Sequence, residues 1–297
     1  MTRVYHTPEA FRQALEARLQ EQARTEGLDL EWLRRQVAFE RFLARIFHKP
    51  DLVWLLKGGY AVELRLDRQA RTTLDIDLAS ADTDRLRLVA AAEPEEQTLD
   101  VALDHLQELA SLDLGDYFSF VIAKSRELAT APEGGLRCTV ECRVGGRRFT
   151  NFRLDFGLGD PVVSEPEWVA SRNLLAFAGH EPVRIPLLPT EQQIAEKFHA
   201  YTLPWHDRAN TRSKDLIDLM LLFETQTLDQ HVLKEALRAT FSHRNTHPLP
   251  EHLPPPPDDW SSEFAEMAIR FRLSVSTLAE AYSYLQDIWE RWELGVA

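Results

Sequence analysis

Apolar residues recur at helical spacing near the start of the chain. Phe11, Leu15 and Leu19 form one stripe, and Val37, Phe39, Phe42, Leu43 and Ile46 form another, so residues 8 to 48 are expected to be helical. Thr7-Pro8-Glu9 is a fitting first turn, with a capping hydroxyl ahead of proline. The texture then changes. Leu52 to Leu56 is a short apolar run broken by Lys57-Gly58-Gly59, and Tyr60 to Leu66 reads as one short helix. Leu74, Ile76 and Leu78 alternate with Asp75 and Asp77, as on a strand with the three apolar residues on its buried face. Residues 84 to 112 return to a helical pattern. Three strands are expected around Phe118-Phe120-Ile122, Cys138-Val140-Cys142-Val144 and Phe149-Phe152-Leu154-Phe156, with Gly145-Gly146 turning between the last two.

Beyond these strands, residues 190 to 203 and 213 to 241 read as amphipathic helices, and a last helix is expected over 261 to 293. Between them HPLPEHLPPPPDD, residues 247 to 259, is too rich in proline for a helix or a central strand and reads as a linker or strap. No internal repeat is present. The order is helices, a mixed α/β centre, then helices, an α+β arrangement. Its expected divisions are a helical lead-in over 1–50, a core over 51–185 and a C-terminal helical domain over 186–297.

Composition narrows the function classes. The chain has 297 residues, 44% of them hydrophobic, enough for a sizeable core. It has no apolar run of about 18 residues and no apolar N-terminal stretch, so neither a membrane span nor a secretory leader is expected. Cys138 and Cys142 fit no zinc spacing, and two cysteines in a chain of this length point to the cytoplasm. The net charge of −13 argues against a long nonspecific grip on nucleic acid. A local basic patch stays open: basic residues cluster at Arg143, Arg147, Arg148 and Arg153, and again at Arg208, Arg212 and Lys214, with a solvated face as the plainer reading of each. Trp205 lies near the second cluster, where it could stack on a base. The ten histidines show no metal-ligand spacing.

The chemistry centres on Asp75 and Asp77. Side chains two apart on a strand share a face, and two neighbouring carboxylates repel unless a positive charge lies between them. Magnesium, which takes one or two carboxylates together with substrate phosphates, answers that need; a solvent-facing pair on a half-exposed strand is the plainer alternative. Gly58-Gly59 follows an apolar strand and precedes a helix, a turn whose N–H groups can meet a phosphate, or one that merely needs positive φ.

Gly58-Gly59, Arg71, Thr73 and Asp75-Ile76-Asp77-Leu78 resemble the signature of the AbiEii/AbiGii toxin family, nucleotidyltransferases of the polymerase-β-like superfamily to which the MenT toxins also belong. Glu196 to Ala200 is similar to the family helix that carries a functional lysine. Arg212 to Leu219 is similar to its K-D-x-x-D-L helix, and Glu40 to Arg45 matches the helix preceding the core. The likeness extends over roughly residues 5 to 225. It implies a polymerase-β-like core with a mixed sheet, and Mg2+ held by Asp75 and Asp77, with Asp155 as third carboxylate and base for the attacking hydroxyl. It also implies Lys197 on the triphosphate and catalytic Asp218 orienting Lys197 or touching the nucleotide. Asp215 would touch the nucleotide, or cap the helix or pair with Lys214. Gly58, Gly59, Arg71 and Thr73 would bind nucleotide. The expected reaction moves a nucleoside monophosphate from an NTP to RNA, at the tRNA acceptor 3′ end, blocking translation, with a cognate antitoxin as partner. Transfer to a protein hydroxyl or small molecule, and a catalytically inactive binding module, are the alternatives.

Overall fold

The computed structural model describes residues 4–49, 53–66, 73–92, 97–128, 132–204, 210 and 212–295. The chain divides into two compact units: Met1–Tyr60, Thr72–Gly159 and Trp168–Leu187 form the first, and Ala61–Arg71, Asp160–Glu167 and Leu188–Ala297 the second.

The first unit opens with α1 (Pro8–Glu26) and α2 (Leu30–Ile46). The Thr7 side chain accepts from the Ala10 N–H at 3.2 Å, and Asp29 accepts from the Trp32 N–H at 2.7 Å. Each satisfies a donor that the first helical turn leaves open. Next come β1 (Trp54–Lys57), α3 (Gly58–Leu66), β2 (Asp75–Ser80), α4 (Thr83–Ala92), α5 (Thr98–Ala110), β3 (Phe118–Leu128), β4 (Gly135–Val144), β5 (Arg147–Gly157), β6 (Glu167–Ala170) and β7 (Arg184–Leu187). The strands form a seven-stranded mixed sheet in the order β3-β4-β5-β2-β1-β7-β6. β1 runs antiparallel to β2, while β2 runs parallel to β5.

One face of this sheet carries the core. Ile76, Leu78, Leu154, Phe156, Leu136 and Cys138 are buried there, and α2 lays Phe39 and Phe42 edge-on against Phe152. Arg41 and Arg45 of α2 reach the buried Asp116 at 2.8 and 2.7 Å. Burial alone would raise the Asp116 pKa, but the two guanidiniums hold it below the usual carboxylate range. Gly145 and Gly146 both take positive φ, 58° and 73°, at the β4–β5 turn, as a tight hairpin requires.

The second unit contains α6 (Thr190–Thr202), α7 (Ser213–Thr225), α8 (Gln230–Arg244), α9 (Ser261–Phe271) and α10 (Leu278–Arg291), with the Ala61–Leu66 part of α3 and residues 160–167. Its core joins Phe198, Leu219, Leu237, Phe264, Leu285 and Trp289. The proline-rich stretch is a strap. Tyr201, Tyr282 and Trp289 donate to the carbonyls of Pro254, Leu253 and Glu251, and Leu253 is buried.

Several expected boundaries change. The helix expected over 213 to 241 is two, because Asp229 accepts from the N–H groups of His231 and Val232 and starts α8 afresh. The helix expected over 261 to 293 breaks at Arg272, which is left-handed at φ 56°, and Thr277 with Glu280 forms a capping box for α10. Residues 84 to 112 hold two helices, α4 and α5. Leu74 is 51% exposed and precedes the strand, so only Ile76 and Leu78 take the buried face. β6 and β7 escaped the sequence pattern, each being four residues long and β7 containing Pro186. No described helix is long and apolar enough to cross a membrane.

Candidate active site

On the open face of the first unit's sheet, register lines up charge across four strands. Lys57 of β1 lies opposite Asp77 of β2, Asp77 opposite Asp155 of β5, and Asp155 opposite Arg137 of β4. Directly paired residues point to the same face. The row therefore reads cation, carboxylate, carboxylate, cation. One step along, Asp75 lies opposite Arg153.

Asp77 sits against the β1–α3 turn. Gly58 has φ +67°, and a Cβ built there would fall 2.7 Å from Asp77 Cγ and 2.9 Å from its Cβ, with Oδ2 nearer still. Only glycine admits both that backbone and that approach. The turn thus brings the start of α3, at Gly58 and Gly59, beside a carboxylate. Arg153 donates to both oxygens of Asp75, at 2.6 and 2.8 Å, and Arg137 to both of Asp155, at 2.8 and 2.5 Å. Among the described residues no three His, Cys, Asp or Glu side chains converge on one point, since Asp75 and Asp155 are turned to their arginines. The donor set nonetheless suits a hard divalent cation. It consists of carboxylate oxygens on one face, one of them in a cradle that a Cβ would fill. Thr73 is buried, its Oγ1 3.5 Å from the Asp75 N. Arg71 lies outside the described residues.

The second unit holds the lysine. Lys197 of α6 is buried and donates to Asp218 Oδ2 at 2.7 Å and Asp215 Oδ1 at 3.1 Å, both on α7. Residues three apart on a helix share a face, which is why one ammonium reaches both. Arg212 adds a contact to Asp215 at 3.4 Å. Lys214 is exposed, so the expected pairing of Asp215 with Lys214 gives way to Lys197 and Arg212. Trp205 and Arg208 lie outside the described residues.

Other reactive groups are accounted for by packing. Burial pushes the Cys138 thiol up to about 11 and the Cys142 thiol higher still, so neither is a thiolate at neutral pH. His199, buried beside Arg244 and His247, is pushed down to about 3 and bonds Thr246 at 2.8 Å as neutral imidazole. Sequence reasoning assigned no role to Lys57 or to Arg137. The lysine adjoins the glycines, a usable signal; the arginine is 18 residues from its carboxylate and only strand register joins them.

Residues 41–292 match the model of the AbiEii nucleotidyl transferase toxin family of type IV toxin–antitoxin systems. MenT4, a nucleotidyltransferase toxin from Mycobacterium tuberculosis H37Rv, is similar in fold, with a TM-score of 0.58 at 16% identity over 95% of this chain and 94% of that one. Weaker likenesses are to the antibiotic-resistance factor ANT(2'')-Ia (TM-score 0.36, 20% identity, 71% of this chain and 92% of that one) and to an antigenic nucleotidyltransferase-like protein from Paracoccidioides brasiliensis (0.37, 12%, 82% and 95%). No individually curated protein matches in sequence. The family match spans most of the chain, and the protein therefore belongs to the AbiEii family of nucleotidyl transferase toxins.

Proposed function

We propose that the protein transfers a nucleoside monophosphate from an NTP to a terminal hydroxyl of RNA, the tRNA acceptor 3′ end, with Mg2+ as cofactor, and so blocks translation in the cytoplasm. Family membership implies an NTP substrate and an antitoxin partner. The observation that carries the chemistry is Asp77 seated in the Gly58 turn with Asp155 in register beside it.

In this reading Asp75 and Asp77 hold the cation. When bound, Mg2+ supplies charge neutralisation on the triphosphate oxygens. The N–H groups at the start of α3, with Gly58 and Gly59, receive phosphate oxygens, aided by Thr73 and Arg71. Asp155 Oδ takes the proton of the acceptor hydroxyl as its oxygen bonds the α-phosphorus. The bond from that phosphorus to the β-phosphate oxygen breaks, and pyrophosphate leaves. Arg137 orients Asp155 for this step by donating to both of its carboxylate oxygens. Lys197 is assigned to triphosphate charge and Asp215 to the nucleotide, with Asp218 positioning the lysine.

The test incubates the protein with Mg2+, each labelled NTP and total tRNA, beside Asp77→Ala and a chelator-treated sample. Label is expected on RNA, and absent from both controls. Label on protein instead would move the acceptor to a protein hydroxyl, and absence of NTP binding would make the chain a binding module.

A further inference from the structure

The open face of β3, β4 and β5 carries five arginines: Arg126, Arg137, Arg143, Arg148 and Arg153. Two cross-strand pairs set like charges directly opposite one another, Arg126 with Arg137 and Arg143 with Arg148. Like charges at that register destabilise a sheet. The second pair exists only because β5 bulges. Its register shifts after Cys142, so Phe149 turns into the core against Phe118 and Arg148 takes the place opposite Arg143. Local compensation is partial. Glu141 holds Arg143 at 2.5 Å and Asp155 holds Arg137, while Arg126 and Arg148 are exposed and make no ion pair among the described residues.

We infer that this arginine-lined sheet face is the docking surface for the sugar-phosphate backbone of the RNA acceptor. The inference rests on the proposed RNA-directed transfer and names where that RNA lies. A polyanion between the paired guanidiniums removes the repulsion that the bare sheet bears, and the planar guanidinium forks match phosphate oxygens. The track runs toward the reacting groups. From Arg148, β5 leads through Asn151 and Arg153 to Asp155, about 23 Å at about 3.3 Å per residue. An acidic protein would be the other polyanion. It is disfavoured because Val121 is the one large apolar side chain exposed on this face, whereas protein interfaces centre on buried apolar and aromatic groups.

The experiment uses the full chain and Arg143→Gln/Arg148→Gln, neither residue belonging to the proposed catalytic set. Binding of fluorescein-labelled total tRNA is measured by anisotropy across a salt series without NTP, with poly-glutamate as competitor. Affinity is expected to fall about tenfold or more, and the slope of log affinity against log salt to shrink by about one to two. In the transfer assay KM for RNA rises while kcat and NTP binding hold. Thermal unfolding is the folding control, and the variant should melt close to the wild-type temperature, because the like-charge pair and the exposed Arg143–Glu141 ion pair go together. Unchanged RNA affinity and salt slope in a wild type that labels RNA would overturn the surface alone. Loss of poly-glutamate binding with RNA binding intact would overturn it in favour of an acidic protein. A wild type that neither binds nor labels RNA would overturn the acceptor reading itself.

Discussion

Replacing Gly58 by alanine separates backbone strain from site geometry, because Gly27 provides a matched control. Both glycines have φ +67°. A Cβ at Gly27 meets nothing within 4 Å, whereas one at Gly58 falls 2.7 Å from Asp77 Cγ. Gly27→Ala should therefore show the left-handed penalty alone, about 1–2 kcal/mol. Gly58→Ala incurs that penalty and must also drive the Asp77 carboxyl carbon back by about 0.7 Å to reach the 3.4 Å of ordinary contact. Asp77 Cβ is also too close, so rotation of the carboxylate alone does not clear the overlap. Displacing a packed side chain adds about 1–3 kcal/mol, giving a total of about 2–5 kcal/mol against a typical domain stability of about 5–15 kcal/mol. The assay is urea unfolding of both variants beside nucleotide transfer. Gly58→Ala should be the less stable and should lose transfer, while Gly27→Ala keeps it. Equal destabilisation of the two, with transfer retained in Gly58→Ala, would refute the claim that this glycine exists to seat Asp77.

Two further outcomes follow from the second unit. Asp218→Asn removes the carboxylate that accepts from the buried Lys197 ammonium at 2.7 Å and should cost about 3–5 kcal/mol in urea unfolding; Lys197→Met/Asp218→Leu should recover much of that stability without recovering transfer. His199 binds its proton in the unfolded chain near its ordinary 6.5 but in the folded chain only near 3. The unfolded state thus holds the extra proton between those values, and stability should fall as pH drops through that window. His199→Gln should flatten that part of the profile measured by urea midpoint, and an unchanged slope would refute the buried neutral imidazole.

Local order was legible wherever it depended on neighbours in the chain. The helical stripe of Phe11, Leu15 and Leu19, the alternation around Asp75 and Asp77 and the paired glycines at 145 and 146 all became the elements they predicted. Breaks inside amphipathic stretches were harder to see. Asp229 and Thr277 start new helices by capping, and a hydrophobic stripe does not register a cap when the apolar period resumes beyond it.

By itself the sequence determined the α+β order of elements, the candidate carboxylates, the glycine turn and the family whose motifs they form. It also presented Lys197 and Asp218 as chemistry-bearing residues. Tertiary structure decided which charges meet. Register set Lys57, Asp77, Asp155 and Arg137 in one row, and helix packing gave one ammonium to both Asp215 and Asp218. A bulge placed Arg148 opposite Arg143. The reason is physical: periodicity assigns each residue a face of its own strand or helix, but the neighbour across that face comes from a distant part of the chain and is chosen by the pairing of strands and the packing of helices.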